Sequence, residues 1–194
     1  MIRFFDLILS LLGLVLLIPL FLVISILIVL DSKGGILFLQ KRVGKNNADF
    51  RLVKFRTMFT GSEKKSSLTV GNKDRRITHA GALLRKYKLD ELPQLINVLA
   101  GDMSMVGPRP EVRKYVELYT DEQKKVLFVK PGITDYASIE YINENELLAN
   151  SADPEITYIR QIMPAKLELN LKYLQNPGIK NYFKIIGRTL VRIF

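Results

Sequence analysis

The chain reads as an α/β fold, mostly helical, joined to an N-terminal membrane-embedded helix and closed by amphipathic helices at the membrane interface. Three observations predict this. Residues 7–30 carry no charge, and their only hydroxyls are Ser10 and Ser25. Residues 50–58 alternate basic and apolar side chains with the period of a half-buried strand. Near the C-terminus, Lys180, Lys184, Arg188 and Arg192 recur at every fourth position between apolar residues.

At 194 residues the chain accommodates one domain with a short appendage. The division falls between a membrane-embedded segment, 1–32, and a cytosolic domain, 33–194. A formal charge of +10 implies an anionic partner: nucleic acid, anionic lipid or a phosphorylated substrate. The chain has no cysteine, which excludes disulfides, thiolate nucleophiles and zinc–thiolate sites. His79 is the single histidine, so no multi-histidine metal site can form.

The charge-free run comes first. As one helix it would extend about 36 Å at ~1.5 Å per residue, enough to cross a hydrocarbon core of ~30 Å. It is too long for a signal-peptide core and ends without a small-residue cleavage site, so it reads as a retained anchor. Pro19 removes a backbone hydrogen bond in its middle and kinks it. A spanning helix with a tolerated proline and a helix that breaks and returns to the same face both fit. Lys33, Lys41, Arg42 and Lys45 follow closely, which places the C-terminal side of the anchor in the cytoplasm.

Beyond a turn at 31–35, residues 36–40 read as a short strand and 50–58 as its half-buried neighbour. Residues 60–74 are polar and read as a loop. A short helix is expected at 80–87. Leu92, Leu95, Ile96 and Leu99 keep helical spacing in the next one, which begins near Asp90 and ends at Gly101. Thr120 and Gln123 form a capping-box pattern ahead of a helix through Val126. Pro131-Gly132 is a turn, and 144–149 and 154–173 are helical. The basic stripe of Lys180, Lys184, Arg188 and Arg192 then suits a helix lying in the membrane interface with its cations toward lipid phosphates. An ordinary surface helix packed on the core is the alternative.

The most informative stretch is 88–111, KLDELPQLINVLAGDMSMVGPRPE. Asp90 and Glu91 stand together at a helix head, where Pro93 is tolerated because first-turn N–H groups lack partners. Asp90 could be a plain N-cap. The same place also suits an ionised carboxylate that attacks phosphorus, near a helix end that favours anions. Such an attack needs a cation on the phosphate oxygens, and Mg2+ held by one or two carboxylates is the usual one. Glu91 is the first candidate ligand, with Asp90 beside it and Asp102 next. Arg109, between Pro108 and Pro110, can present a rigid fork to a phosphate. For Asp102 and Arg109 an internal salt bridge is the structural alternative.

A set of segments in order along the chain resembles the bacterial sugar transferase family, the monotopic phosphoglycosyl transferases of glycoconjugate assembly. They are Arg42-Val43-Gly44, Lys54-Phe55-Arg56-Thr57-Met58, Asp74-Arg75-Arg76-Ile77-Thr78, Leu89-Asp90-Glu91-Leu92-Pro93-Gln94, Asn97-Val98-Leu99, Gly101-Asp102-Met103-Ser104, Val106-Gly107-Pro108-Arg109-Pro110 and Lys130-Pro131-Gly132-Ile133-Thr134. The resemblance implies transfer of a phospho-sugar from a UDP-sugar to undecaprenyl (polyprenyl) phosphate, with release of UMP and a need for magnesium. Asp90 would be the nucleophile and Glu91 a magnesium ligand. Pro108, Arg109 and Pro110 would lie near the nucleotide or its phosphates, Arg85 would be the basic residue ahead of the pair, and Lys54 and Arg56 would be further substrate-binding cations. The family's anchor is re-entrant and broken at a proline, which favours that form at Pro19. The catalytic domain would then face the cytoplasm from the bacterial inner membrane, with both chain ends on that side.

Some positions depart from the family pattern. The break is Ile18-Pro19 where Ser-Pro is frequent. Asp135-Tyr136-Ala137-Ser138 replaces a Gly-Trp-Ala-Gln run, and Asn170 stands where members carry an aspartate, with Glu168 nearby as a substitute. Two rivals remain. An ordinary UDP-sugar glycosyltransferase would commonly carry Asp-x-Asp, which is missing, and would release UDP. A membrane-anchored basic adaptor for anionic lipid or nucleic acid fits the charge, but no nucleic-acid-binding signature occurs and nucleic acid is not an expected partner. No Gly-x4-Gly-Lys-Ser/Thr is present, so a P-loop hydrolase is excluded.

Overall fold

The computed structural model describes residues 1–62 and 74–193. Most of the polar segment expected at 60–74 lies outside the described residues. The N-terminal run forms one helix, α1 (Ile2–Asp31), with Pro19 inside it. It is the one helix among the described residues that is long and apolar enough to cross a membrane.

Strands β1 (Leu37–Val43) and β2 (Asp49–Phe55) pair antiparallel, with Leu37 opposite Phe55 and Val43 opposite Asp49. The turn between them uses left-handed backbone at Asn46 and Asn47, a conformation that asparagine tolerates better than most residues. The expected helix at 80–87 is α2 (His79–Lys86), capped by the Thr78 hydroxyl on the Gly81 amide.

The next helix starts later than its apolar spacing suggests. Lys88 sits in left-handed backbone with φ 56°, and Leu89–Glu91 forms a single 3-10 turn. Helix α3 (Gln94–Ala100) follows and ends at Gly101 with φ 98°. The proline at 93 has no N–H to give, so the helix propagates only beyond it.

Short strand β3 (Ser104–Val106) runs parallel to β4 (Gly132–Thr134), a pairing that replaces the simple turn expected at Pro131-Gly132. Gly107 and Gly132 permit it. A Cβ on Gly132 would lie 2.1 Å from the Gly107 nitrogen, and one on Gly107 would lie 2.4 Å from the Lys130 carbonyl. Helix α4 (Arg113–Val116) comes between these strands. The capping box forms as expected, Thr120 N to Gln123 Oε1 at 2.9 Å and Gln123 N to Thr120 Oγ1 at 3.3 Å, but the turn it opens, Gln123–Phe128, is 3-10.

Helices α5 (Tyr136–Glu140) and α6 (Glu144–Ala149) lead into α7 (Pro154–Thr157), a π turn at Tyr158–Ile162 and α8 (Met163–Gln175). The one helix expected over 154–173 is therefore interrupted. Pro164 cannot donate to residue 160, and its ring needs room there; a wider turn supplies it. The main core joins these helices to β1 through Val43, Tyr115, Leu148, Tyr158, Ile162 and Leu167. A fully buried aliphatic side chain contributes roughly 1.5–3 kcal/mol.

Helix α9 (Ile179–Ile193) closes the fold. Its inner face buries Tyr182 and Ile185, while Lys180, Lys184, Arg188 and Arg192 are exposed together with Leu190 and Val191. The helix thus packs on the core with one face, as the surface-helix alternative expects, and leaves the basic stripe exposed to solvent.

Helix α1 is tied to the rest of the chain along its whole length. Arg3 donates to the carbonyls of Val98 and Leu99 at 2.5 and 3.0 Å. The Asp6 carboxylate accepts from Ser104 Oγ, the Met105 amide and Tyr182 Oη, each at 2.9 Å. Further on, Phe21 meets Phe55 edge to face, and Ile24 and Ile28 bury against Phe55 and Leu84. At the far end Asp31 Oδ2 accepts from the Ala80 amide at 2.9 Å. The opposite face exposes Leu12, Val15, Leu16, Leu22, Val23 and Leu30.

Candidate active site

Asp90 and Glu91 lie on the wall of a cavity of about 970 Å³, a size suited to a nucleotide-bearing ligand. The 3-10 turn that carries them points the two side chains into different surroundings. Asp90 is buried at 7% exposure, and its carboxylate takes no hydrogen bond from the described residues. It is not a helix cap, since α3 begins beyond Pro93 without a side-chain cap.

Glu91, one residue on, is fully engaged. Lys54 Nζ donates to its Oε1 at 3.0 Å, Arg109 Nη1 to its Oε2 at 3.1 Å, and Arg109 Nη2 closes the fork on Oε1. Of the expected cations, the structure therefore brings Lys54 and Arg109 onto the pair. Arg85 also lines the cavity, from the last turn of α2.

The electrostatics separate the two acids. Burial, and after it the neighbouring Glu91 charge, pushes the Asp90 carboxyl above its ordinary value, against the pull of Lys54, Arg85 and Lys88. Burial acts the same way on Glu91, but Arg109 and Lys54 outweigh it and hold that carboxyl well below the usual range. Burial lowers the Lys54 ammonium, opposed by Glu91. Glu91 raises the Arg109 guanidinium.

The loop that presents Arg109 is set by tertiary contacts. Gly107 N donates to the Thr134 carbonyl and Gly132 N to the Pro108 carbonyl, each at 3.0 Å. Pro108 and Pro110 are buried. The Arg109 amide donates to Asp135 Oδ2 at 3.1 Å, and the other oxygen of Asp135 caps α5 through the Ser138 amide at 2.5 Å. Asp135, 1% exposed, thus fixes the arginine loop and α5 together. The sequence marked it as a departure from pattern but not as a positioning group.

Other candidates make different contacts. Arg56 also lines the cavity, but its guanidinium binds the carbonyls of Ile28, Ser32 and Lys33 at the end of α1, so its hydrogen bonds hold that helix. Arg42, read from sequence as a flanking charge, points inward and binds the Pro110 carbonyl, Gln40 and Glu111. Asp102 is exposed beyond the far end of α3, where it accepts from the Asn97 amide at 3.3 Å. It does not line the cavity. Glu168 pairs with Lys172 on the surface at 2.8 Å, whereas Asn170 is buried with its Oδ1 unpartnered among the described residues. Pro19 lies at mid-length in α1, remote in sequence from both polar ends.

Among the described residues no three acidic or histidine side chains cluster as a metal cage. The donor set available at the pair is one or two carboxylates. That donor set fits a magnesium ion carried largely by substrate phosphates rather than by a protein cage.

The model of the bacterial sugar transferase family matches residues 1–194. A UDP-N-acetylgalactosamine-undecaprenyl-phosphate N-acetylgalactosaminephosphotransferase of Aeromonas hydrophila is 38% identical over 191 residues, 97% of this chain and 42% of that protein. An undecaprenyl-phosphate glucose phosphotransferase of Komagataeibacter xylinus is 36% identical over 197 residues, 98% of this chain and 35% of that protein. A putative undecaprenyl-phosphate N-acetylgalactosaminyl 1-phosphate transferase of Bacillus subtilis is 43% identical over 120 residues, 62% of this chain and 67% of that protein. The chain spans about two fifths of the length of the first two relatives.

Proposed function

Because this chain belongs to the bacterial sugar transferase family, we propose that it moves a phospho-sugar from a UDP-sugar to polyprenyl phosphate, through a covalent intermediate on Asp90. The observation that carries this reading is the contrast within the acidic pair. Asp90 is buried and unbonded beside a cation cluster, while Glu91 is held ionised by Lys54 and Arg109. Two adjacent acids driven apart in this way suit different roles.

Asp90 Oδ attacks the β-phosphorus of the donor. The bond from that phosphorus to the bridging oxygen breaks and UMP leaves, with the phospho-sugar on the carboxylate. An oxygen of polyprenyl phosphate then attacks the same phosphorus, the acyl–phosphate bond breaks, and the carboxylate returns. Arg109 and Lys54 oppose the negative charge that gathers on the phosphate oxygens. Glu91, with Asp90 beside it, would hold magnesium, which when bound screens the diphosphate from the incoming carboxylate.

We read α1 as re-entrant, with both ends on the cytoplasmic face. Arg3 and Asp6 near one end and Asp31 near the other bind the same domain, which supports an anchor that leaves the membrane on the side it entered. Its exposed apolar face would sit in lipid. The basic stripe of α9 would meet lipid phosphates at the same surface. That depth would bring a membrane-held phosphate within reach of Asp90.

The test is intact mass of the detergent-solubilised chain after incubation with magnesium and a panel of UDP-sugars without polyprenyl phosphate. A mass increase of one phospho-sugar, lost in Asp90→Asn, is expected. UMP formation only when the lipid is present, with no adduct, would replace the covalent route by direct transfer.

A further inference from the structure

The cavity has a polar recess that the transfer steps above do not use. It is the part of the wall formed by Ser138, Glu144, Asn145, Tyr158 and Lys166, in the same cavity that Arg109 lines. Lys166 is 9% exposed and donates to Glu144 Oε2 at 2.6 Å. Its ammonium also lies 5.8 Å from the centre of the Tyr158 ring, and the Tyr158 hydroxyl donates to Glu111. The Ser138 Oγ is buried and has no hydrogen-bond partner among the described residues.

A largely desolvated ion pair and an unpartnered buried hydroxyl on one cavity wall are a costly arrangement for a wall that only encloses space. We infer that this recess reads the sugar ring of the donor, and that Ser138, Glu144 and Lys166 set which UDP-sugar is accepted. The inference rests on the phospho-sugar transfer reading and extends it to donor choice.

The chemistry on the wall favours a polyol. A pyranose offers hydroxyls and, in amino sugars, an acetamido group, each able to donate and accept. Glu144 supplies acceptors, Lys166 donors and Ser138 either. A uracil ring would instead call for an open aromatic face to stack on, and the Lys166 ammonium occupies the Tyr158 ring. The placement is also apt. Glu144 is close enough to Arg109 to act on its charge, so a ring in the recess would lie next to the phosphate that Arg109 faces. Asp135 strengthens the coupling, since it bonds the Arg109 amide with one oxygen and the Ser138 amide with the other. A shift of α5 by the wrong sugar would therefore be felt at the arginine loop.

The experiment is binding of UDP-N-acetylglucosamine, UDP-N-acetylgalactosamine, UDP-glucose and UDP-galactose, and of UMP, to the full chain in detergent with magnesium. Wild type is compared with Ser138→Ala and Glu144→Gln. Ser138→Ala removes no side-chain hydrogen bond within the protein, so it keeps the test open if Glu144→Gln folds poorly. Both variants should change the ratio of affinities between the best and worst donors by about tenfold, the worth of one buried hydrogen bond, with UMP held within about twofold. Equal weakening of all donors, weakening of UMP in step with them, or unchanged ratios in both variants would each overturn the assignment. Selective binding without UMP formation would sink the transfer reading and leave the recess. UMP formed from every donor at ratios that neither variant alters would sink the recess and leave the transfer reading.

Discussion

Asp6 at the root of α1 and Asp90 on the cavity wall are both buried, at 2% and 7% exposure, yet their surroundings are opposite. Asp6 gathers three donors on one oxygen, Ser104 Oγ, the Met105 amide and Tyr182 Oη. Asp90 gathers none from the described residues and has Glu91 beside it. A buried acid that is fully bonded joins elements. Here it locks α1, β3 and α9 at one point. A buried acid left unbonded stores free energy that a substrate can release, which is what a nucleophile requires.

The largest effect should come from Asp90→Asn. Turnover, read as UMP release, should fall about 10⁴-fold or more, while the melting temperature holds or rises. The sign follows from the raised carboxyl. Between the ordinary value of 3.8 and the folded one, the folded chain holds more protons than the unfolded chain, so stability falls as pH rises through that window, and the amide removes the loss. A large drop in melting temperature would mean that Asp90 is structural, as Asp6 is.

Glu91→Gln comes next. It leaves Lys54 and Arg109 facing each other without their shared anion, at a cost of about 3 kcal/mol in stability by denaturant unfolding. The wild-type pair should lose this contribution only in strong acid. Its depressed carboxyl gives stability that is present above 4.5 and lost as pH falls through the lower folded value. Asp6→Ala should cost about 2–3 kcal/mol by orphaning three buried donors, with turnover per folded molecule near that of wild type.

A proton is a smaller perturbation. The proposed attack needs Asp90 ionised, so kcat/KM should fall about tenfold per pH unit on the acid side, with the bend above 3.8 because the carboxyl is raised. The bend belongs to the coupled pair and should move in Glu91→Gln. Smallest of all is Asp6→Asn, at under about 1 kcal/mol, since its amide oxygen can keep accepting.

The elements that were legible in the sequence are those made by neighbours. The charge-free run of α1, the alternation in β2, the short helix after residue 78 and the capping box at Thr120 are local patterns, and each is found in place. The adjacency of Asp90 and Glu91 needed no folding to be seen. What could not be read depends on contacts through space. The β3–β4 pair spans three residues on each side, too short for any periodic signal. Asp102 is near Glu91 in sequence, but α3 lies between them and carries it to the opposite end. Arg56 and Lys54 sit two positions apart on the same strand run, yet one holds α1 and the other Glu91.

By itself the sequence determined the long apolar helix, the acidic pair, the prolines flanking Arg109 and the family, because these rest on composition, spacing and covalent neighbours. Only the tertiary structure decided that Asp90 is unbonded among the described residues while Glu91 is clamped, that Asp6 locks α1, and that Glu144 and Lys166 pair on the cavity wall. Those outcomes come from burial and from partners 18 to 176 residues apart in the chain. Charge and reactivity inside a protein follow from what surrounds a group in space, and no local pattern encodes that.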